Sequence, residues 1–293
     1  MFDLRYHVAS LAAVFVALLI GILVGVAMSG KVDDAEKKAL MGQRDRLQDQ
    51  LEAAGERRAN SVREQEATQA FVKNAYPALI NDRLRGKRVA LIFVGAVDTG
   101  TRKDVERAIS DAGATAPVRM RALKVPIDAA DVDGALSGDL RQYRGDEALD
   151  DLGRELADEF VSGGDAPAWD ALTSLLVEEK AGSFRRTVDG VVVVRTVKAQ
   201  KGETLRFLVG LYEGLAGIGV PAVGVERSGA GDSAVGAWSD AGLSTIDDIE
   251  KPAGRLALAL LLSGNVTGNY GLKPSATDGL VPPIEPLPAQ TGG

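Results

Sequence analysis

An uninterrupted apolar stretch near the amino terminus most constrains what this chain can fold into. Residues 8–28 read VASLAAVFVALLIGILVGVAM, with no charged residue and with Ser10 as the only polar side chain. A helix of that length rises roughly 30 Å, which matches the hydrocarbon core of a bilayer. Since a backbone in lipid must satisfy its own hydrogen bonds, a single spanning segment must be helical. The stretch therefore predicts one transmembrane helix, with the lipid bilayer as a partner.

Small residues recur at every fourth position of this stretch. They are Ala9, Ala13, Ala17, Gly21, Gly25 and Ser29. Small side chains let two helix backbones approach closely in lipid, where association depends on van der Waals packing. Ala13, Ala17, Gly21 and Gly25 therefore predict a packing face for a homo-oligomer. The alternative is that an alanine-rich chain scatters small residues without consequence.

The residues on either side of the helix bear on whether the segment is cleaved and on which side of the membrane the rest of the chain lies. The apolar run exceeds the usual 7–15-residue core of a cleaved signal peptide, and residues 27–29 form only a fair cleavage site, which favours an uncleaved signal anchor. More positive charges follow the helix than precede it, which by itself would keep the remainder in the cytoplasm. Long segments, however, translocate largely regardless of charge. Charge alone therefore leaves the orientation open.

The rest of the chain divides into three further segments by composition. Residues 1–30 form the anchor, 31–84 a polar helical stalk, 85–273 a globular domain and 274–293 a proline-rich tail that we expect to be extended and partly disordered. In the stalk, Leu40, Leu47, Leu51 and Ala54 follow a 3–4 repeat, whereas Arg44 and Arg58 fall at core positions of the same frame. A short coiled coil that extends the oligomer and a single solvated helix both fit. Pro77 is expected to end this helix.

Apolar, β-branched runs alternate with helical patterns in the globular segment. Strands are predicted at 87–94, 118–123, 191–194, 220–225 and 244–246, with helices up to 112 and at 140–160, 168–180, 205–218 and 253–262. Such alternation predicts an α/β fold: a doubly wound, mostly parallel sheet of about five strands.

Composition excludes several classes of function. The net charge is −7 and no basic stripe appears, which argues against binding nucleic acid. There is no cysteine, and the single histidine, His7, lies at the membrane edge. A Ser-His-Asp or Cys-His catalytic apparatus in the globular segment is therefore impossible, and so is a zinc site built on its own thiolates or imidazoles. We predict that the chain is not an enzyme and needs no cofactor.

Two glycine-rich loops follow predicted strands. Residues 95–102 (GAVDTGTR) have the glycine spacing of a phosphate-binding loop, but Thr101 and Arg102 stand where Lys and Ser or Thr are needed, so a strand-to-helix turn is the better interpretation. Residues 229–234 (GAGDSA) resemble a dinucleotide fingerprint but come too late in the domain. Because open α/β sheets bind ligands at this edge, Gly229, Gly231 and Asp232 remain a candidate ligand loop.

Other potential metal ligands do not form a recognisable set. Six acids crowd one predicted helix, and we interpret them as a solvated face: Glu147, Asp150, Asp151, Glu155, Asp158 and Glu159. Asp128, Asp131 and Asp133 lack the spacing of a calcium loop. The four methionines are Met1, Met28, Met41 and Met120. No two of them are close in sequence, so they do not form a soft-ligand pair for Cu(I).

Two segments carry a family resemblance. The opening FDLRYHV running into ASLAAVFVALLIGILVG is similar to the start of the actinobacterial family of the mycobacterial copper transport protein B. The segment GLSTIDDI at 242–249, then PAG at 252–254 and GNYG at 268–271, agrees with the same family. The resemblance covers the chain from residue 1 to about 273.

The resemblance implies an envelope protein whose bulk lies outside the cytoplasm and which acts in copper efflux or tolerance. Copper enters only through this resemblance, since no residue of the chain can be assigned as a copper ligand. One helix cannot form a pore, so transport requires an oligomer. The alternative is a non-catalytic scaffold that binds an envelope protein partner and has no direct metal chemistry.

Overall fold

A long first helix and an α/β domain make up the described chain. The computed structural model describes residues 4–286, and within them the side chains of 10–27 and 37–286. Residues 1–3 and 287–293, and the side chains of Ala9, Met28 and Ser29, lie outside that description. The chain divides into two compact units, residues 1–69 and 70–293.

Helix α1 extends from Leu4 to Ile80 and includes the apolar stretch. Ser10–Ala27 has the length and composition to cross a membrane, with a mean hydropathy of 2.7. Along the first unit, Leu40, Leu47 and Leu51 are 60%, 52% and 73% exposed. From Leu4 onward this unit is helical, and the leucines of its repeat are open to solvent.

The prediction that Pro77 ends the helix is wrong. Proline removes the backbone hydrogen bond to the carbonyl four residues earlier, yet Pro77 lies inside α1 and the helix continues to Ile80. Ile80 and Leu84 are buried in the core of the second unit, and the Tyr76 hydroxyl donates to Asp111 Oδ2 at 2.7 Å. These contacts hold the last turn in place.

Seven strands form one sheet in the order β3-β2-β1-β4-β5-β6-β7. The strands are β1 (Val89–Val94), β2 (Arg119–Leu123), β3 (Val177–Gly182), β4 (Gly190–Arg195), β5 (Ala222–Val225), β6 (Ser244–Ile246) and β7 (Asn269–Tyr270). Only β3 is antiparallel to its neighbour. In the centre, Leu91 pairs with Met120 on one side and Val192 on the other. The fold is therefore the predicted doubly wound, mostly parallel α/β sheet.

The predicted number of about five strands is wrong. Residues 177–180 were expected to continue a helix but form the edge strand β3, whose last five residues are exposed. An edge strand lacks the apolar run by which buried strands are recognised. The second missed strand, β7, has two residues.

Helices cover both faces of the sheet. They are α2 (Thr99–Asp111), α3 (Ala129–Ala135), α4 (Leu149–Ser162), α5 (Pro167–Leu176), α6 (Gly202–Gly217), α7 (Val235–Asp240) and α8 (Pro252–Ser263). The predicted helix at 140–160 begins instead with two 3₁₀ turns before α4. One core cluster packs α3 to α7 on one face, and a second packs α2, α8 and the end of α1 on the other.

Glycines allow α4 and α6 to approach closely. A Cβ atom at Gly210 would overlap the backbone of Asp150, and one at Gly153 would lie 2.5 Å from the Leu211 nitrogen. Backbone-to-backbone contact of this kind leaves no room for a side chain at the crossing.

Two buried charges are structural. Arg119 on β2 is fully buried and donates to the carbonyl oxygens of Phe160, Ser183 and Arg186, with its guanidinium 4.3 Å from the Phe184 ring centre. Glu159 was expected on a solvated acidic face, but it is buried and accepts from the backbone nitrogens of Ala168 and Trp169 at 2.8 and 2.9 Å. It therefore caps the start of α5, and burial raises its pKa.

The described part of the predicted tail is attached to the domain. The Gly271 nitrogen donates to Gly279 O at 2.9 Å, and Arg83 Nη1 donates to Glu285 O at 2.7 Å. Val281 packs against the second core cluster. Residues 274–286 are therefore held against the sheet unit, and the rest of the tail lies outside the described residues.

Candidate functional site

A crevice of about 790 Å³ opens at the carboxyl ends of β1, β4 and β5. The direction of winding reverses between β1 and β4, so the loops that follow these two strands diverge. Doubly wound sheets bind their ligands at such a switch point. The crevice is lined by 96–98 and Thr101 after β1, by 194–197 at the end of β4, by 226–230 after β5, and by Glu250.

The loop after β1 forms the first wall. Asp98 caps α2 through its Oδ2 atom, which accepts from the Thr101 nitrogen at 2.7 Å. Hydrogen bonds from the Thr101 hydroxyl and backbone N–H lower the pKa of Asp98, and nearby Arg227 adds to this effect. A carboxylate thus occupies the helix start at which a phosphate-binding loop would hold phosphate. The geometry agrees with a strand-to-helix turn.

The loop after β5 forms the opposite wall and contains the candidate ligand loop. Gly229 lines the crevice, whereas Gly231 does not. Asp232 Oδ2 accepts from the Ala199 nitrogen at 2.7 Å and lies 3.2 Å from Arg195 Nη2. The structure therefore places Gly229 at the crevice and uses Asp232 to fasten the loop to the segment after β4. A Cβ atom at Gly229 or Gly231 would meet no other atom.

Two carboxylates that the sequence did not single out stand beside this loop. Buried Glu226 accepts from Ser233 Oγ at 2.6 Å and from the Ala234 nitrogen at 2.9 Å, and Lys273 Nζ pairs with it. Glu250 accepts from the nitrogen and the hydroxyl of Ser228. Burial opposes ionisation of Glu250, but the hydrogen bonds from Ser228 outweigh it and lower the pKa. Both acids are therefore engaged by donors of the protein.

Arg227 reaches across the crevice. It follows β5, yet its Nη1 atom lies so close to α2 that a Cβ atom at Gly100 would be 2.6 Å away. Its Nη2 atom is 3.6 Å from Asp104 Oδ2, and the side chain is 45% exposed. The sequence offered no signal for this residue, because its contacts are with α2, more than 120 positions earlier in the chain.

The predicted packing face lies on α1. Ala13, Ala17, Gly21 and Gly25 are all exposed within the described span, and a Cβ atom at either glycine would meet nothing. The four positions are therefore open along the single chain. Whether they pack against a second helix stays a prediction.

Copper ligands remain unassigned. No group of three or more His, Cys, Asp or Glu side chains arranged to hold a metal ion occurs among the side chains described at 10–27 and 37–286. Met41 is exposed and Met120 is buried in the second core cluster, so these two thioethers lie in different environments. Met1 and Met28 lie outside the described side chains.

The fold and the span define a class: an α/β domain of doubly wound topology on a chain with one candidate membrane-crossing helix. A family described as "Copper transport outer membrane protein, MctB" matches residues 1–282. The chain belongs to this family. A comparison with curated proteins gives no match. The family and the apolar helix together fit a membrane-anchored, copper transport-related envelope protein, and the family is one of transport rather than catalysis.

Proposed function

We propose that the chain takes part in copper efflux or tolerance as a homo-oligomer anchored in the cell envelope, with its α/β domain outside the cytoplasm. The observation that carries this proposal is the family match, which includes the apolar helix as well as the domain. Copper is the cargo in this proposal, and no residue is assigned to bind it.

The need for an oligomer follows from geometry. A single helix has no interior through which an ion could pass, so a conduction path requires several helices or a partner. The four-residue ladder supplies a face on which helices could approach closely. The exposed leucines Leu40, Leu47 and Leu51 add apolar surface to the same helix beyond the span. Copies anchored in one membrane share an orientation, which favours a parallel pairing.

The helix face is tested by one enlarged residue and a matched control. Gly21→Ile should weaken self-association in membranes about tenfold, equivalent to about 1.4 kcal/mol, because the branched side chain separates the backbones. Ala12→Ile adds bulk one position away from the ladder and should leave association unchanged. Chemical crosslinking in native membranes, normalised to the amount of each protein, measures the self-association of both variants.

Copper tolerance of a deletion strain connects this assembly to function. The wild-type chain and Ala12→Ile should restore growth in copper, and Gly21→Ile should not. Equal crosslinking in both variants would show that the ladder is incidental. Unchanged copper tolerance on deletion would remove the copper role itself.

A scaffold that binds another envelope protein is the second candidate. The hydrogen bonds in the crevice favour this candidate. Glu226 and Glu250 already accept from donors of the protein, so they do not form a free set of ligands for a metal ion. Unchanged copper tolerance together with a co-purifying envelope protein would support the scaffold.

A further inference from the structure

Two arginines, Arg195 and Arg227, line the crevice at the switch point, and Arg227 is the more exposed of them. Each carboxylate in the lining is already engaged: Asp98 by Thr101, Glu226 by Ser233, Ala234 and Lys273, and Glu250 by Ser228. The acceptors of the crevice are therefore largely used within the protein.

The two arginines of the lining differ. Arg195 is nearly buried and donates to Asp232 O at 3.0 Å, with the Asp232 carboxylate 3.2 Å away. Arg227 makes no side-chain hydrogen bond within the described part of the chain. Its sole ionic contact there is the 3.6 Å approach to Asp104, which is longer than a hydrogen bond. The guanidinium of Arg227 therefore lines the crevice with N–H donors that have no hydrogen-bond acceptor among the described residues.

Arg227 packs against the first turn of α2. Its guanidinium lies against Gly100 in the first turn of α2, where any larger residue would displace it. Asp98, the N-cap of α2, lies near this guanidinium, which adds to the lowering of the Asp98 pKa by the Thr101 hydrogen bonds. A planar guanidinium held in place with free donors matches the paired oxygens of a carboxylate or a phosphate.

We propose that this crevice is a binding site for a small oxyanion, a carboxylate or phosphate compound, anchored by Arg227. The crevice lies wholly within the α/β unit and is built by loops of three neighbouring strands. The proposal is independent of the copper role and of the orientation of the domain.

Calorimetric titration of the full-length chain in detergent tests the site with two probes, inorganic phosphate and succinate. At least one probe should bind saturably, with a dissociation constant of about 1 mM or below. Arg227→Gln should weaken that binding by about tenfold or more. The affinity of Arg227→Lys should be intermediate, since an ammonium keeps the positive charge but lacks the paired, planar donors of a guanidinium. The stronger probe identifies the class of oxyanion.

Arg107→Gln is the matched control, since Arg107 is exposed on α2 but does not line the crevice. It should bind as the wild type does. Thermal unfolding of each variant confirms that the fold is retained, and the Lys variant keeps the test decisive if the Gln variant unfolds. Absence of saturable binding by both probes, equal affinity of Arg227→Gln and wild type, or an equal loss in Arg107→Gln would overturn the proposal.

Discussion

Asp248, which follows β6, carries a buried carboxyl group with a raised pKa. Its side chain is fully buried, and neither carboxylate oxygen has a hydrogen-bond partner among the described residues. A Cβ atom at Gly254 of α8 would lie 2.5 Å from its Oδ1. Burial, followed by the charges of Asp247 and Glu250, raises the pKa of Asp248 to about 7. The acid is therefore substantially protonated at neutral pH.

This raised pKa makes stability depend on pH. An unfolded Asp titrates near pH 3.8, so between that pH and 7 the folded state binds more protons than the unfolded state. The free energy of unfolding then falls as pH rises through this window, and the cost persists above it. Asp248→Asn should remove the slope and be more stable than the wild type at pH 8 by about 1 kcal/mol or more, because one pKa unit corresponds to about 1.4 kcal/mol.

Urea unfolding at pH 4.5 and pH 8 measures this effect. Asp165→Asn, an exposed change of the same chemistry, should follow the wild type at both values. Parallel profiles for Asp248→Asn and the wild type would show that the carboxyl is solvated or paired in the folded protein.

At the scale of elements, the contact between α4 and α6 is sensitive to a single added methyl group. Gly210→Ala should destabilise the domain by about 3 kcal/mol, since its Cβ atom would overlap the Asp150 backbone and the two helices would have to separate. Gly217→Ala, near the end of the same helix and facing open space, should stabilise by up to about 1 kcal/mol. Thermal unfolding of the two variants gives opposite shifts. An unchanged or higher melting temperature in Gly210→Ala would mean that the helices can separate without cost.

The central strands could be predicted because they are buried on both faces. VALIFV in β1 and GVVVVR in β4 are continuous apolar runs, a pattern that parallel strands between two helical layers require. The edge strand β3 reads VEEKAG, and its pairing with β2 depends on tertiary contacts that no local pattern encodes. The prediction at Pro77 is wrong because tertiary contacts override the local pattern. The burial of Ile80 and Leu84 outweighs the local cost of proline in the helix.

The candidate site was predictable only in part. Gly229 was found because a glycine-rich loop after a strand marks the ligand-binding edge of such sheets. Arg227, two positions earlier, was missed because its role depends on α2, which lies far away in the sequence. Glu159 shows the same limit, since only the fold reveals that it caps α5.

For the whole molecule, the proposed orientation makes a direct prediction. Protease added to intact spheroplasts should digest the α/β domain, because that domain is proposed to lie outside the cytoplasm. A cytoplasmic marker protein should stay intact in the same sample. Digestion of the domain only after permeabilisation would place it on the cytoplasmic side and contradict the outward orientation.

The hydrogen bond from Arg83 to Glu285 brings the start of the α/β domain next to the last described part of the chain. A domain in which segments near the two ends of its sequence lie in contact can be re-engineered as a cassette, since a linker could join them and new ends could be opened elsewhere on its surface. A circular permutant opened at Gly164, an exposed position between α4 and α5, would release the sheet domain from its anchor without changing its core.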